Sequence, residues 1–296
     1  MACNGGIRLG KQKRSVIDSQ AFVAYKERRQ QTIIGMIVVL IVMALVGVIG
    51  ITAYKASHPS ESLLSKSSTT SLQSAAIPSN ANKQGGFLVS ASRETKNVPT
   101  IEIYFDPMCP SCGLVDRALN PTLLKLYDAG QVNMELHPVS FLDKASSDRY
   151  STRAASSLAY VGEHDPQHLL AYLGGLFEKG FQPSETDYHP VSDAQLVQQA
   201  IRCGVNETVA KKSTCGEYEH WIEHTTEATI NRKELQQSDS GSFSTPLIRI
   251  NGNFWSMKNM LLKDLPTALL TSLGLPKDSV GDNHVLPEIG SEGKPL

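Results

Sequence analysis

The chain has 296 residues, 28 of them basic and 29 acidic, for a formal net charge of -1. That balance argues against a polyanionic partner, and no basic stripe marks a nucleic-acid footprint. The first third differs so sharply in composition from the rest that the length allows one folded core of roughly 190 residues, ample for a buried interior.

Residues 1–31 are polar and carry Arg8, Lys11, Lys13, Arg14, Lys26, Arg28 and Arg29. Residues 32–54 (TIIGMIVVLIVMALVGVIGITAY) contain no charged side chain. At about 1.5 Å per residue such a helix crosses a hydrocarbon core of about 30 Å. One transmembrane helix is predicted. Only Lys55 follows it closely, so the positive-inside rule puts 1–31 in the cytoplasm and the rest outside, as in a single-pass cell-membrane protein. A cleaved signal peptide is the competing reading, but the leading segment is long and the apolar run exceeds the roughly 7 to 15 residues of a signal core. The C-terminal part is exported in either case. A soluble core helix fits less well, because the run is apolar on every face. Cys3 precedes the run, outside any lipoprotein motif, and reads as an unpaired cytoplasmic thiol, whereas Cys109, Cys112, Cys203 and Cys215 fall in an oxidising compartment.

Residues 55–85 are rich in Ser, with scattered Thr, Asn, Pro and Gly and no sustained apolar period, which predicts a flexible tether. Its root-mean-square reach would be on the order of 30 Å. A folded domain is expected over 86–275. Phe87, Leu88 and Val89 could start it as a short strand, and in residues 100–105 Ile101, Ile103 and Phe105 alternate with Glu102 and Tyr104, the pattern of a half-buried strand. That strand runs into Asp106 and Cys109. Leu114, Leu119, Leu123, Leu124 and Leu126 then follow helical spacing over 113–129, with Pro121 expected to bend or split the helix. A strand over 132–139 completes a strand-helix-strand unit whose right-handed crossover makes its strands parallel. An α-helical insertion is predicted over about 143–236, with helices near 157–162, 168–180, 194–203 and 206–235. Residues 246–255 read as a hairpin about Asn251 and Gly252. A closing helix over 261–273 is capped by Gly274, and the Gly-, Pro- and charge-rich tail 276–296 is expected to be disordered.

Cys109-Pro110-Ser111-Cys112 lies where the first long strand feeds a helix. Disulfide exchange needs a thiolate, and a free cysteine of pKa near 8.5 supplies little at neutral pH. At a helix N-terminus, unsatisfied N–H groups and the dipole stabilise the anion. Pro110 suits the first helical position, since its φ is preset and its missing N–H costs nothing there. Cys109 is therefore the expected nucleophile, and Cys112, three residues along on the same face, the resolving thiol. Ser111 is a candidate hydrogen-bond donor to the thiolate.

FDPMCPSCG after a strand, a helical insertion, and a strand preceded by Ser244-Thr245-Pro246 together resemble the DsbA-like thioredoxin-fold oxidoreductases, particularly membrane-anchored Gram-positive forms. The resemblance covers about 86–275. It implies an α/β thioredoxin-like fold, a mixed central sheet flanked by helices, carrying the helical insertion. It also implies that Thr245 and Pro246 form the cis-proline loop that contacts substrate. The activity implied is an extracytoplasmic dithiol oxidase that introduces disulfides into exported proteins with cysteine pairs. The enzyme would need no bound metal, flavin or nucleotide, and would be reoxidised by a quinone-linked membrane partner of the DsbB or vitamin K epoxide reductase type. One departure is plain: where many members place a buried Glu six residues before the first cysteine, this chain has Ile103, and alternation puts Glu102 on the opposite face. Asp106 is either a substitute acid or a turn residue.

Other readings compete. A C-x-x-C can hold zinc or copper, but a zinc site needs a second ligand pair. Cys203 and Cys215 are read as a structural disulfide closing a short loop, worth about 3 kcal/mol in the chain-entropy model. A redox relay or two separate thiols are the alternatives. His220-Trp221-Ile222-Glu223-His224 matches a zinc-peptidase pattern, and His164 and His168 are also four apart; solvated helix histidines explain both. Leu169, Leu170, Leu173 and Leu176 read as core. A membrane-tethered reductase or isomerase would share these site residues, because direction depends on potential, and a non-enzymatic metal- or partner-binding module could share the scaffold.

Overall fold

A computed structural model describes residues 76–89, 95–237 and 241–296. The expected cytoplasmic segment, transmembrane helix, Cys3 and most of the tether lie outside the described residues. Among the described residues no helix is long and apolar enough to cross a membrane.

Five strands form one mixed sheet: β1 (Phe87–Leu88), β2 (Thr100–Phe105), β3 (Asn133–Pro138), β4 (Leu247–Ile250) and β5 (Asn253–Phe254), in the order β1-β3-β2-β4-β5. β2 and β3 are parallel, from Thr100 opposite Asn133 to Phe105 opposite Pro138, and every other pair is antiparallel. The parallel pair follows from its connection, helix α1 (Pro110–Asp128), which carries the chain back along one sheet face. Alternation along β2 sorts the two faces. Ile101, Ile103 and Phe105 meet the main core, whereas Tyr104 joins a smaller cluster with Leu235 and Leu247. Pro121 lies within α1 without splitting it. At the β4-β5 turn Asn251 and Gly252 both have positive φ, 48° and 74°, the primed geometry that matches the twist of a tight hairpin.

The insertion between β3 and β4 holds helices α2 (Tyr150–His164), α3 (Leu169–Leu176), α4 (Asp193–Arg202), α5 (Glu207–Ser213) and α6 (Glu219–Ile230). α2 is buried along most of its length and packs against α3, α5 and α6. Its small residues, among them Ala154, Ala155 and Ser157, allow that approach. Ser157 Oγ lies 2.8 Å from both the Tyr172 hydroxyl and Ser213 Oγ, so its buried hydroxyl is satisfied. The long helix expected over 206–235 is instead two helices, because the chain breaks after Ser213 and Gly216 turns at φ 77°. α7 (Leu265–Leu273) closes the fold and ends on Gly274 at φ 64°.

Two domain boundaries differ from expectation. The last ten residues of the predicted tether are folded: Asn80 Nδ2 donates to the carbonyls of Leu88 and Gly162, and Ala81 pairs with Phe87. The tail expected to be disordered is packed. Gln131 is fully buried, and its Nε2 donates to the carbonyls of Ser279, Asp282 and Val285 while its Oε1 accepts from Gly281 N. Ile289 is buried in the same core, and Asn251 Nδ2 binds the carbonyls of Gly290 and Gly293. A buried carboxamide needs such partners, and the tail supplies them.

Candidate active site

Cys109 is the N-cap of α1, in extended conformation, with Pro110 at the first helical position. Its Sγ accepts from Cys112 N at 3.4 Å and lies 3.6 Å from the Thr245 carbonyl. Both sulfurs are enclosed, Cys109 being 7% and Cys112 2% exposed. Pro110 and Ser111 face solvent. The Cys109 thiol is pulled below the ordinary thiol range, to about 6, chiefly by the hydrogen bond from the Cys112 side chain and then by Thr245 and the amides of Cys112 and Ser111, which together outweigh burial. Ser111 thus acts through its backbone. Cys112 moves the opposite way, well above the ordinary range, because it is buried and faces the Cys109 sulfur. One thiol is poised as a nucleophile and the other is kept protonated.

The Thr245-Pro246 bond is cis and sets Pro246 against Cys112 in a small cavity. The Thr245 hydroxyl is buried without a hydrogen-bond partner of ordinary geometry among the described residues, and it lowers both thiols. Ile103 lines the same cavity. Glu102, on the other face, is committed to Arg249 at 3.0 Å and to Gly252 N.

Asp106 is fully buried beside the site. Its Oδ1 accepts from Met108 N at 2.9 Å and Ser151 Oγ at 2.5 Å, and its Oδ2 accepts from Leu142 N at 3.0 Å. Burial nevertheless pushes its carboxyl up to about 7. These contacts tie the turn before Cys109 to α2, the arrangement of a turn residue. Gln182 is a second brace that sequence reasoning missed: its Nε2 donates to the carbonyls of Pro107 and Cys109 at 3.1 and 2.9 Å. Gly113 makes room for it, since a Cβ there would lie 2.1 Å from Gln182 Oε1.

Cys203 and Cys215 do not form the expected disulfide; both are free thiols, as are Cys109 and Cys112. The two point to different neighbours. Cys203 caps α4 against Gly175 of α3, whereas Cys215 is exposed and directed at the Lys211 carbonyl. Nor does the peptidase-like pattern converge: His220 and His224 are exposed, and Glu223 is paired with Arg149. Among the described residues, the side chains grouped closely enough to hold a metal are Glu102, Glu135 and His137, and they are already engaged with Arg249, Asn82 and one another.

No protein-family profile matches the chain. A segment of 111 residues is 34% identical to the serine/threonine-protein kinase PknE of Mycobacterium tuberculosis, covering 37% of this chain and 20% of the kinase. The chain therefore spans about a fifth of the length of that curated relative. Among solved structures, oxidised DsbA of M. tuberculosis superposes with a TM-score of 0.54 at 25% identity, over 67% of this chain and 98% of that one. Reduced DsbG of the same organism gives a TM-score of 0.53 at 26% identity, over 66% and 91%. With Cys109 at the helix start, Cys112 behind it and a cis Thr245-Pro246 bond facing both, these likenesses make the chain a DsbA-like thioredoxin-fold protein.

Proposed function

We propose that the chain is an extracytoplasmic dithiol oxidase. In the reaction a thiolate of an exported protein attacks Cys109 of the Cys109–Cys112 disulfide, and the substrate's second thiolate then resolves the mixed disulfide. Two electrons pass to the enzyme. The observation that carries this reading is the stabilised Cys109 thiolate. A Cys109 thiol held below the ordinary range by these hydrogen bonds is largely thiolate near neutrality, which favours the dithiol form and moves the couple toward the oxidising side. Equilibration of the full chain with glutathione tests it. The expected potential lies closer to about -120 mV than to about -270 mV, and a value near the latter would make the protein a reductase.

The address rests on the sequence: an uncharged apolar run over 32–54 with basic residues ahead of it supports a cytoplasmic N-terminus and an exported catalytic domain. Substrates would then be newly exported proteins with cysteine pairs. A quinone-linked membrane protein of the DsbB or vitamin K epoxide reductase type would return the electrons. Deleting that partner should leave Cys109 reduced in cells, as alkylation trapping would read.

A further inference from the structure

Exchange through this site requires Cys112 to give up a proton when it attacks and to regain one when it leaves. The cavity that adjoins its sulfur is walled by apolar side chains: Ile103 and Phe105 of β2, Leu119 of α1, Leu173 and Phe177 beside it, and Ile248 of β4. Ile103 can neither take nor give a proton. Two groups in the lining can exchange one, and they are Cys112 and Asp116. The spacing of four residues puts both on one face of α1. Asn120, one further turn along, hydrogen-bonds the Asp116 carboxyl and is itself anchored to the Leu170 carbonyl at 3.3 Å. Gly174 of α3 permits this packing, since a Cβ there would lie 2.3 Å from Asn120 Nδ2. The cavity leaves about 20 Å³ for a water-sized occupant, enough for one bridging water.

We propose that Asp116 is the proton acceptor for Cys112, and in the reverse step its proton donor, through this cavity. In resolution, the Cys112 thiol passes its proton to the Asp116 carboxylate. The sulfur then bonds to Cys109 as the bond between Cys109 and the substrate sulfur breaks, and the substrate departs as a thiolate. In the opposite direction a substrate thiolate attacks Cys109, Cys112 leaves with the electron pair, and the protonated Asp116 returns the proton. The role is the same whichever way electrons flow, so it does not depend on the oxidase assignment.

Desolvation raises the Asp116 carboxyl to about 7, against the pull of Asn120 and Arg117, so near neutrality it is present in both forms. Arg117, whose guanidinium reaches the Phe177 carbonyl at 2.5 Å, is the charged side chain next to it on α1. Cys109 is outside the cavity lining. From β2, β4 and the α3 region the residues facing the cavity are uncharged. Asp106, the buried carboxyl in the turn before Cys109, is held by three donors outside the lining. Asp116 is itself half-buried, which gives the proton an exit to solvent.

The test is quenched-flow reaction of the reduced full chain with glutathione disulfide, counting the glutathione adduct on Cys109 by peptide mass spectrometry across pH 5 to 9. In Asp116→Asn the adduct should form at the wild-type rate but resolve at least about tenfold more slowly at pH 7, and the inflection near 7 should vanish. Asp116→Glu should restore both the rate and the inflection. Unchanged resolution and pH profile in Asp116→Asn would overturn the proposal, as would an Asp116→Glu enzyme as slow as Asp116→Asn.

Discussion

Asp106 shows how one buried side chain serves geometry at an electrostatic cost. Three donors orient its carboxyl, yet desolvation wins and raises it to about 7, so the folded protein retains a proton that the unfolded chain releases above about 3.9. The contribution of this carboxyl to stability is therefore complete below about pH 4 and is lost as pH rises through 7. Asp106→Asn should flatten that dependence. It also sets an amide donor against a group that already donates, at a cost of about 1–3 kcal/mol. Urea midpoints at pH 5 and pH 8 for both proteins measure the two effects, and a wild-type midpoint that climbs from pH 5 to 8 by more than the variant's would contradict the sign argued here. At this scale Cys109 and Cys112 were legible because strand, proline and helix start are adjacent in the chain. Ser151 and Gln182 were not, because they meet the turn only after the insertion folds back, 45 residues from Asp106 and 73 from Cys109.

Among elements, the two with a strict local code were readable: β2 by its alternation of two, and the β4-β5 hairpin by its Asn-Gly turn. Helix ends in the insertion were not. The break after Ser213 is set by packing, with Ser213 buried against Ser157 of α2, a contact that no run of apolar spacing announces. The N-terminus of α1 likewise depends on something outside itself. Its preceding turn exposes the carbonyls of Pro107 and Cys109 to the protein interior, and Gln182 satisfies both. Gln182→Ala removes two hydrogen bonds from the element that positions the nucleophile, so a loss of about 1–3 kcal/mol in unfolding free energy is expected. The Cys109 thiolate should become less stable too, seen as an upward shift in the midpoint of its ultraviolet thiolate absorbance. A variant with wild-type stability and midpoint would show that the turn holds itself.

For the whole molecule, composition misjudged the margins of the folded domain, at 76–85 and 276–296. Polar, Gly- and Pro-rich segments read as disordered when taken alone, and the partner that orders the tail, Gln131, lies about 150 residues away and is itself a polar residue in a buried position. The free, exposed Cys215 allows the proposed address to be read directly. If the domain lies outside the membrane, a membrane-impermeant maleimide applied to intact spheroplasts should label Cys215, whereas Cys3, on the cytoplasmic side in the same topology, should react only after lysis. Cys109 is a poor reporter because it is largely buried and, in an oxidising compartment, cycles through a disulfide. Cys215→Ser supplies the control: its external label should disappear while the lysis-dependent label on Cys3 persists. Labelling of Cys3 in intact spheroplasts with Cys215 protected would invert the topology. It would place the thiols in a reducing compartment, where the same site would release electrons to substrate disulfides and the oxidase reading would fall.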